Sequence, residues 1–214
     1  VYMFKEGFAE KVRTFVENGG ILITSYWSGI VDDTDRCYLG GTPHGLMDVL
    51  GLRSTEIDGL YDWEENQMVP ETGNQLGLTD TYICKNLCDL VELRGAKPLM
   101  TYGSDFYQGY PCLTVNTFGK GNAWYVAADA DEKFYADFLG KIVKDSCVSS
   151  GISEEIPDAL EITVRERDDV KYYIYQNYGT QAVNIPVPDG KVTWIYGNGQ
   201  EELKVYGLAV AKVE

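Results

Sequence analysis

The chain opens with apolar residues at a helical spacing. Phe8, Val12, Phe15 and Val16 fall on one face of residues 5–18, and Asn18-Gly19-Gly20 supplies a stop, which predicts an amphipathic helix. An unbroken apolar strand, Ile21-Leu22-Ile23, follows at once. Helix, two glycines and a buried strand make half of a βαβ unit, whose first strand is expected ahead of Lys5, where only Val1 to Phe4 stand. The fold is therefore expected to start in mid-unit. A short helix is predicted from Pro43, with Leu46, Met47 and Leu50 as its apolar face and Gly51 as its end. Leu52 to Ile57 reads as a strand, and the polar stretch Asp62 to Gly77 as a long excursion.

Strand-type runs return at Thr81–Cys84, Leu87–Leu93, Pro98–Tyr102, Cys112–Phe118 and Asn122–Ala127, with Phe118-Gly119-Lys120-Gly121 as a hairpin turn. Asp131 to Cys147 is helical in pattern, through Phe134, Phe138, Leu139, Ile142 and Val143. Val148 to Asp158 has linker composition. Beyond it, short runs at Leu160–Arg165, Tyr172–Gln176, Ala182–Val187, Val192–Tyr196 and Leu203–Val213 are punctuated by Asp168-Asp169, Gly179, Asp189-Gly190 and Asn198-Gly199. The expected architecture is α/β: an incomplete flavodoxin-like, mostly parallel sheet with helices over residues 1–152, then a small antiparallel β domain over 153–214. So small a β domain, without a disulfide pattern, is expected to dock on a larger partner.

Charge removes several function classes. A formal net charge of −15 over 214 residues argues against nucleic acid or an anionic membrane as partner, since phosphate binding draws on Lys and Arg. No apolar window approaches a membrane span. The run Ser54 to Asp80 holds seven acids (Glu56, Asp58, Asp62, Glu64, Glu65, Glu71, Asp80) and no base, and reads as a solvated loop. Five cysteines (Cys37, Cys84, Cys88, Cys112, Cys147) form an odd set without a framework, which points to a reducing, cytoplasmic setting. Cys84 and Cys88 have C-x3-C spacing, but no second pair or nearby His completes a zinc site, so no metal or cofactor is expected.

Catalytic patterns are thin. The lone histidine, His44, lacks a nucleophile and an orienting acid at any recognisable spacing and reads as a surface or capping residue. Nucleotide loops and nucleophile elbows do not occur. Glycoside hydrolysis needs only two carboxylates, and Glu56, Asp58, Asp105 and Asp129 lie near predicted strand ends, each with loop capping as the simpler role. Aromatics say more: Tyr26, Trp27, Tyr38, Tyr61, Trp63, Phe106, Tyr107 and Tyr110 cluster on predicted loops. Core packing, a protein interface and a sugar-stacking platform all remain open for them.

The run Thr24 to Gly41, with Pro43-His44-Gly45-Leu46-Met47-Asp48-Val49-Leu50-Gly51 and Glu56 to Tyr61, resembles the middle domain of glycoside hydrolase family 42 β-galactosidases. The likeness continues through Gly95-Ala96, Tyr102 to Pro111 and Val115 to Gly121, then into Val164-Arg165-Glu166 and Tyr173 to Tyr178. In that family a (β/α)8 barrel cleaves terminal β-galactosides with retention through two glutamates, a flavodoxin-like domain akin to glutamine amidotransferases drives trimer formation, and a small β domain ends the polypeptide. The resemblance covers only the latter two parts. It implies a non-catalytic assembly segment whose partners are its own copies, in a homo-trimer, and whose β-galactoside is handled by a barrel outside this sequence. No catalytic glutamate, sugar-binding residue or zinc cysteine carries over, and no Cys and His stand at amidotransferase positions. The rival readings are a carbohydrate-binding module with sugar on Trp27, Trp63 or Trp194, and an autonomous hydrolase built on the four carboxylates above.

Overall fold

Two compact units, Val1–Ser146 and Cys147–Glu214, divide the chain. The computed structural model describes residues 1–146, 151–199 and 202–214; Cys147 and the first residues of the expected linker, Val148 to Ser150, lie outside them.

In the first unit α1 (Phe8–Glu17) leads into β1 (Ile21–Ser25), as the apolar spacing requires. The helix end and the strand approach β7 (Gly121–Val126) so closely that a Cβ at Gly121 would stand 2.2 Å from the carbonyl oxygens of Val16 and Gly20, so only glycine fits. After a long loop comes the single turn α2 (Met47–Leu50), ended by Gly51 at φ 63°. Pro43 sits in the loop before it rather than in its first turn, and Leu46 takes the N-cap position. An ion pair ties the helices, Arg13 Nη2 donating to Asp48 Oδ1 at 2.8 Å.

The strands β2 (Leu52–Gly59), β3 (Asn66–Pro70), β4 (Tyr82–Leu93), β5 (Lys97–Tyr102), β6 (Pro111–Phe118) and the short β8 (Ala128–Ala130) complete one sheet, ordered β1-β7-β6-β5-β3-β4-β2 with β8 on β4. The α/β class holds, but the sheet is mixed rather than mostly parallel. Only β1 and β7 run parallel; the other pairs are antiparallel. The reason is connection length. Two residues, Gly119 and Lys120, join β6 to β7, and a turn that short reverses the chain, whereas a parallel partner needs a crossover helix. Two further differences concern β3, which lies inside the expected polar excursion, and β4, which merges two predicted runs across a bulge between Lys85 and Cys88.

Both faces of the sheet are covered, as the alternation along β7 shows. Ala123 and Tyr125 join the core beneath α1 and α2 with Val16, Val49, Leu50 and Val91. Trp124 and Val126 join the opposite core with Phe134 and Phe138 of α3 (Glu132–Asp145). Each buried phenylalanine there contributes about 1.5–3 kcal/mol. Asp131 caps α3, its carboxylate accepting the Phe134 N–H at 2.8 Å. Beyond β1 the sheet is open among the described residues: Ile21 and Ile23 are exposed on it.

The second unit is a four-stranded antiparallel sheet of β9 (Leu160–Arg167), β10 (Val170–Asn177), β11 (Val192–Tyr196) and β12 (Leu208–Val213), ordered β11-β12-β10-β9. Asp168 and Asp169, both at positive φ, form the two-residue turn between β9 and β10. The expected strand at Ala182–Val187 is reduced to one bridge, Val183 to Leu203. Asn177 organises the loops by donating Nδ2 to the carbonyls of Gln181, Leu203 and Lys204 at 2.8–3.1 Å.

Candidate assembly surface

Three groups of loop aromatics emerge from the first unit. The loop after β1 carries Tyr26 and Trp27. Trp27 adopts a left-handed backbone, φ 56°, a conformation costing a non-glycine residue about 1–2 kcal/mol. Its indole is 48% exposed and meets the Tyr2 ring edge-on at 5.9 Å between centroids. Tyr26 is half-buried, and burial, then the neighbouring Asp129 carboxylate, pushes its phenol up to about 12.

Beneath this loop lies a group that the sequence reading passed over. Asp89, on β4, is fully buried, and its Oδ2 accepts the Tyr125 hydroxyl from β7. The carboxyl also faces the Trp27 N–H and the Ser54 hydroxyl of β2, although Oδ1 lacks a hydrogen bond of full geometry. Burial raises this acid to about 6 against those three donors, which act to lower it. The backbone beside Asp89 is fixed as well: Tyr102 on β5 donates its hydroxyl to the carbonyls of Asp89 and Ala127 at 3.1 and 2.9 Å. The available signal was one acid inside an apolar run, Leu87 to Val91.

The second group, Tyr61 and Trp63, follows β2. The rings stack at 4.9 Å and 6°, and stand 64% and 79% exposed. Within the loop the Tyr61 N–H bonds Glu64 at 3.0 Å, and the loop is tied to β4 by the Leu60 N–H to the Asn86 carbonyl at 2.9 Å and by a Glu65–Lys85 ion pair at 3.5 Å. The third group joins Phe106, 68% exposed, with Tyr110, beside a groove of about 470 Å³ lined by Thr55, Leu93 and Pro111 among others. Tyr107 leaves the candidate set. It is buried between Tyr102 and Phe106, both edge-on at 4.9 Å, and donates its hydroxyl to Asp58 at 2.9 Å.

Tyr38 is half-buried and stacks on His44 at 3.7 Å and 7°. His44 therefore serves as packing for the long loop, its N–H bonding the Gly29 carbonyl at 3.1 Å, rather than as a helix cap. The four candidate carboxylates are engaged locally or left in solvent. Asp58 takes the Tyr107 hydroxyl, Asp129 the Asn86 amide at 2.7 Å and Asp105 the Phe106 N–H at 2.6 Å, while Glu56 is exposed on β2. Cys84, Cys88 and Cys112 are buried thiols and Cys37 is exposed. Among the described residues no set of three His, Cys, Asp or Glu side chains is arranged to hold a metal ion, and no helix is long and apolar enough to cross a membrane.

Residues 1–149 match the sequence profile of a family described as the β-galactosidase trimerisation domain. The chain is 38% identical over 214 residues to β-galactosidase BglY of Alicyclobacillus acidocaldarius, covering 98% of this chain and 31% of that one. It is 42% identical over 218 residues to β-galactosidase BgaP of Planococcus sp. strain L4, covering 100% and 32%. Among solved structures, the cold-adapted β-galactosidase of Rahnella sp. R3 superposes with a TM-score of 0.82 at 36% identity, over 99% of this chain and 31% of that one. The chain thus spans about a third of the length of the curated relatives it matches.

Proposed function

Since the chain belongs to the β-galactosidase trimerisation-domain family through residues 1–149, we propose that it is the assembly segment of a β-galactosidase, binding further copies of itself and taking no part in bond cleavage. The observation that carries this reading is the family match together with the aromatic rings presented on the loops of that same unit, Trp27, Tyr61, Trp63, Phe106 and Tyr110. Large, rigid side chains with little conformational entropy to lose are the usual anchors of protein interfaces. The substrate follows from the relatives' names: a terminal β-galactoside, cleaved by polypeptide of the kind that makes up the rest of those enzymes.

The acidic surface fits the same account. With a net charge of −15, contact between copies has to rest on apolar and aromatic area, and self-association is expected to strengthen with salt as repulsion is screened. Light scattering across a concentration series tests the proposal. A mass three times that of the chain, growing in population with concentration and salt, supports it; a monomer at every concentration overturns it. Hydrolysis of a chromogenic β-galactoside that follows the purified protein peak would overturn the non-catalytic half.

A further inference from the structure

Tyr61 and Trp63 stand beside a cavity that the assembly reading leaves unused. It measures about 210 Å³ and is lined by Lys85 and Asn86 of β4, Asp129 of β8 and the α3 cap Asp131, among others. The bulge in β4 opens it: Asn86 takes a left-handed backbone, φ 58°, where the pairing with β8 shifts between Lys85 and Cys88. Both feet of the aromatic loop rest on the rim of this cavity. The Leu60 N–H donates to the Asn86 carbonyl at 2.9 Å, and Glu65 pairs with Lys85 at 3.5 Å. Two residues from Glu65, the Trp63 backbone lies no more than about 7 Å from that foot. A tight turn, Glu64 N–H to the Tyr61 carbonyl at 2.8 Å, keeps both rings close to it.

The polar groups of the cavity and the rings above its rim define a ligand. Asn86 donates its amide to Asp129 Oδ2 at 2.7 Å, which uses one of the amide's two N–H donors and one of about four lone-pair positions on the carboxylate. Amide, carboxylate and the Lys85 ammonium supply donors and acceptors side by side, the requirement of adjacent hydroxyls, each of which gives one proton and accepts others. Tyr61 covers one face of the Trp63 indole, at 4.9 Å and 6°, and the indole is 79% exposed, so one flat apolar face stays open. Such a face suits a ring with a C–H side, whereas a cation is held best by several faces converging on it, and Lys85 already places an ammonium at the rim. Asp62, Glu64, Glu65 and Asp129 oppose an anion, and equally a second copy of net charge −15. We propose that the open face of Trp63 and the cavity of Lys85, Asn86 and Asp129 form a binding site for a neutral hexopyranoside, the indole stacking on the sugar's C–H face while the amide and carboxylate bind adjacent hydroxyls. The site binds without cleaving. Asp131 is spent on the Phe134 and Ile83 N–H groups, at 2.8 and 3.0 Å, and Glu65 on Lys85, so Asp129 has no second acid to work with. The proposal does not draw on the assembly reading, which retains Trp27, Phe106 and Tyr110 as its rings.

The test labels the four tryptophans (Trp27, Trp63, Trp124, Trp194) with 5-fluorotryptophan, assigns the Trp63 fluorine resonance with Trp63→Phe, and titrates the whole chain with methyl β-D-galactopyranoside into the high millimolar range. The axial 4-hydroxyl of this sugar leaves one unbroken C–H face for stacking. The Trp63 resonance is expected to shift and saturate while those of Trp124 and Trp194 stay put. Asn86→Gly removes the amide at a left-handed position that glycine accepts, and is expected to weaken binding about tenfold, the worth of one good hydrogen bond. A Trp63 shift that stays linear to the highest concentration, that glycerol reproduces, or that is unchanged in Asn86→Gly overturns the proposal. Should Asn86→Gly fail to fold, unchanged binding in Asp129→Ala overturns it equally. Spermidine moving Trp63 where the galactoside does not would mark a cation site and also overturn it. Light scattering of the same samples separates the two readings: a monomer that binds the sugar sinks the assembly reading alone, and an oligomer whose Trp63 stays unmoved sinks the sugar site alone.

Discussion

The Trp27 and Tyr61–Trp63 loops look alike in composition and differ in wiring. Trp27 stands on a strained backbone whose amide faces a buried acid in the sheet. Tyr61 and Trp63 stack on each other, with a single backbone bond to β4. Exposure alone would have ranked Trp63, at 79%, above Trp27, at 48%. What distinguishes them is the backbone beneath the rings: Trp27 stands in a left-handed pose beside a buried acid, whereas the Tyr61–Trp63 loop is tied to β4 through Leu60 and the Glu65–Lys85 ion pair.

The largest expected effect concerns pH. Burial pushes Asp89 up to about 6 in the folded state from an ordinary 3.8 in the unfolded chain, so between those values the folded state holds the extra proton. Its contribution to stability is fully present below about 4 and lost as pH rises through 6, which amounts to about 3 kcal/mol by pH 7. Urea unfolding of the wild type minus Asp89→Asn, run from pH 4 to 7.5, should show this decline; a difference that is flat with pH, or rises with it, overturns the burial of a raised acid beneath the Trp27 loop and with it the contrast between the two loops. Next comes Tyr125→Phe, which deprives the buried carboxylate of its hydroxyl donor. The expected loss is about 1.5–3 kcal/mol at pH 7, shrinking toward about 1 kcal/mol at pH 4.5, where the acid is neutral. Trp27→Gly should be smaller, because release of left-handed strain, about 1 kcal/mol, opposes the loss of the ring contact with Tyr2; its stability is expected within about 1 kcal/mol of wild type. Smallest is Trp63→Ala, a solvent-side change expected within about 0.5 kcal/mol at every pH. Thermal melts that place Trp63→Ala below Trp27→Gly would reverse the ranking of the two loops.

Much of the element list was legible because it rested on local chemistry. Phe8, Val12 and Val16 at helical spacing gave α1, and the glycines around Lys120 gave the β6–β7 turn. Pairing direction was harder, since a strand such as β7, buried on both faces by two separate cores, is as apolar as a parallel strand while pairing antiparallel with β6. The strand β3 was hidden because its edges, Asn66 and Pro70, and its exposed Gln67 read as loop, while its burial of Asn66 and Met68 depends on β4 and β5. The aromatic loops were visible as composition, but Tyr107 and Trp27 received opposite fates from tertiary packing that no local pattern encodes. Asp89 shows the same limit: an acid in an apolar run signals something, and only the fold reveals Tyr125 and the Trp27 amide opposite it.

The free margin of β1 sets a ceiling on how this polypeptide can be handled. Ile21 and Ile23 border a row of backbone amides and carbonyls without strand partners among the described residues, a template for any extended chain that comes near. Growth along such a margin has no symmetry that closes it, whereas the closed oligomer proposed above stops at a fixed number of copies. Concentrated samples are therefore expected to turn turbid, and a charged side chain introduced at Ile23 should clear the turbidity without changing the oligomer proposed above.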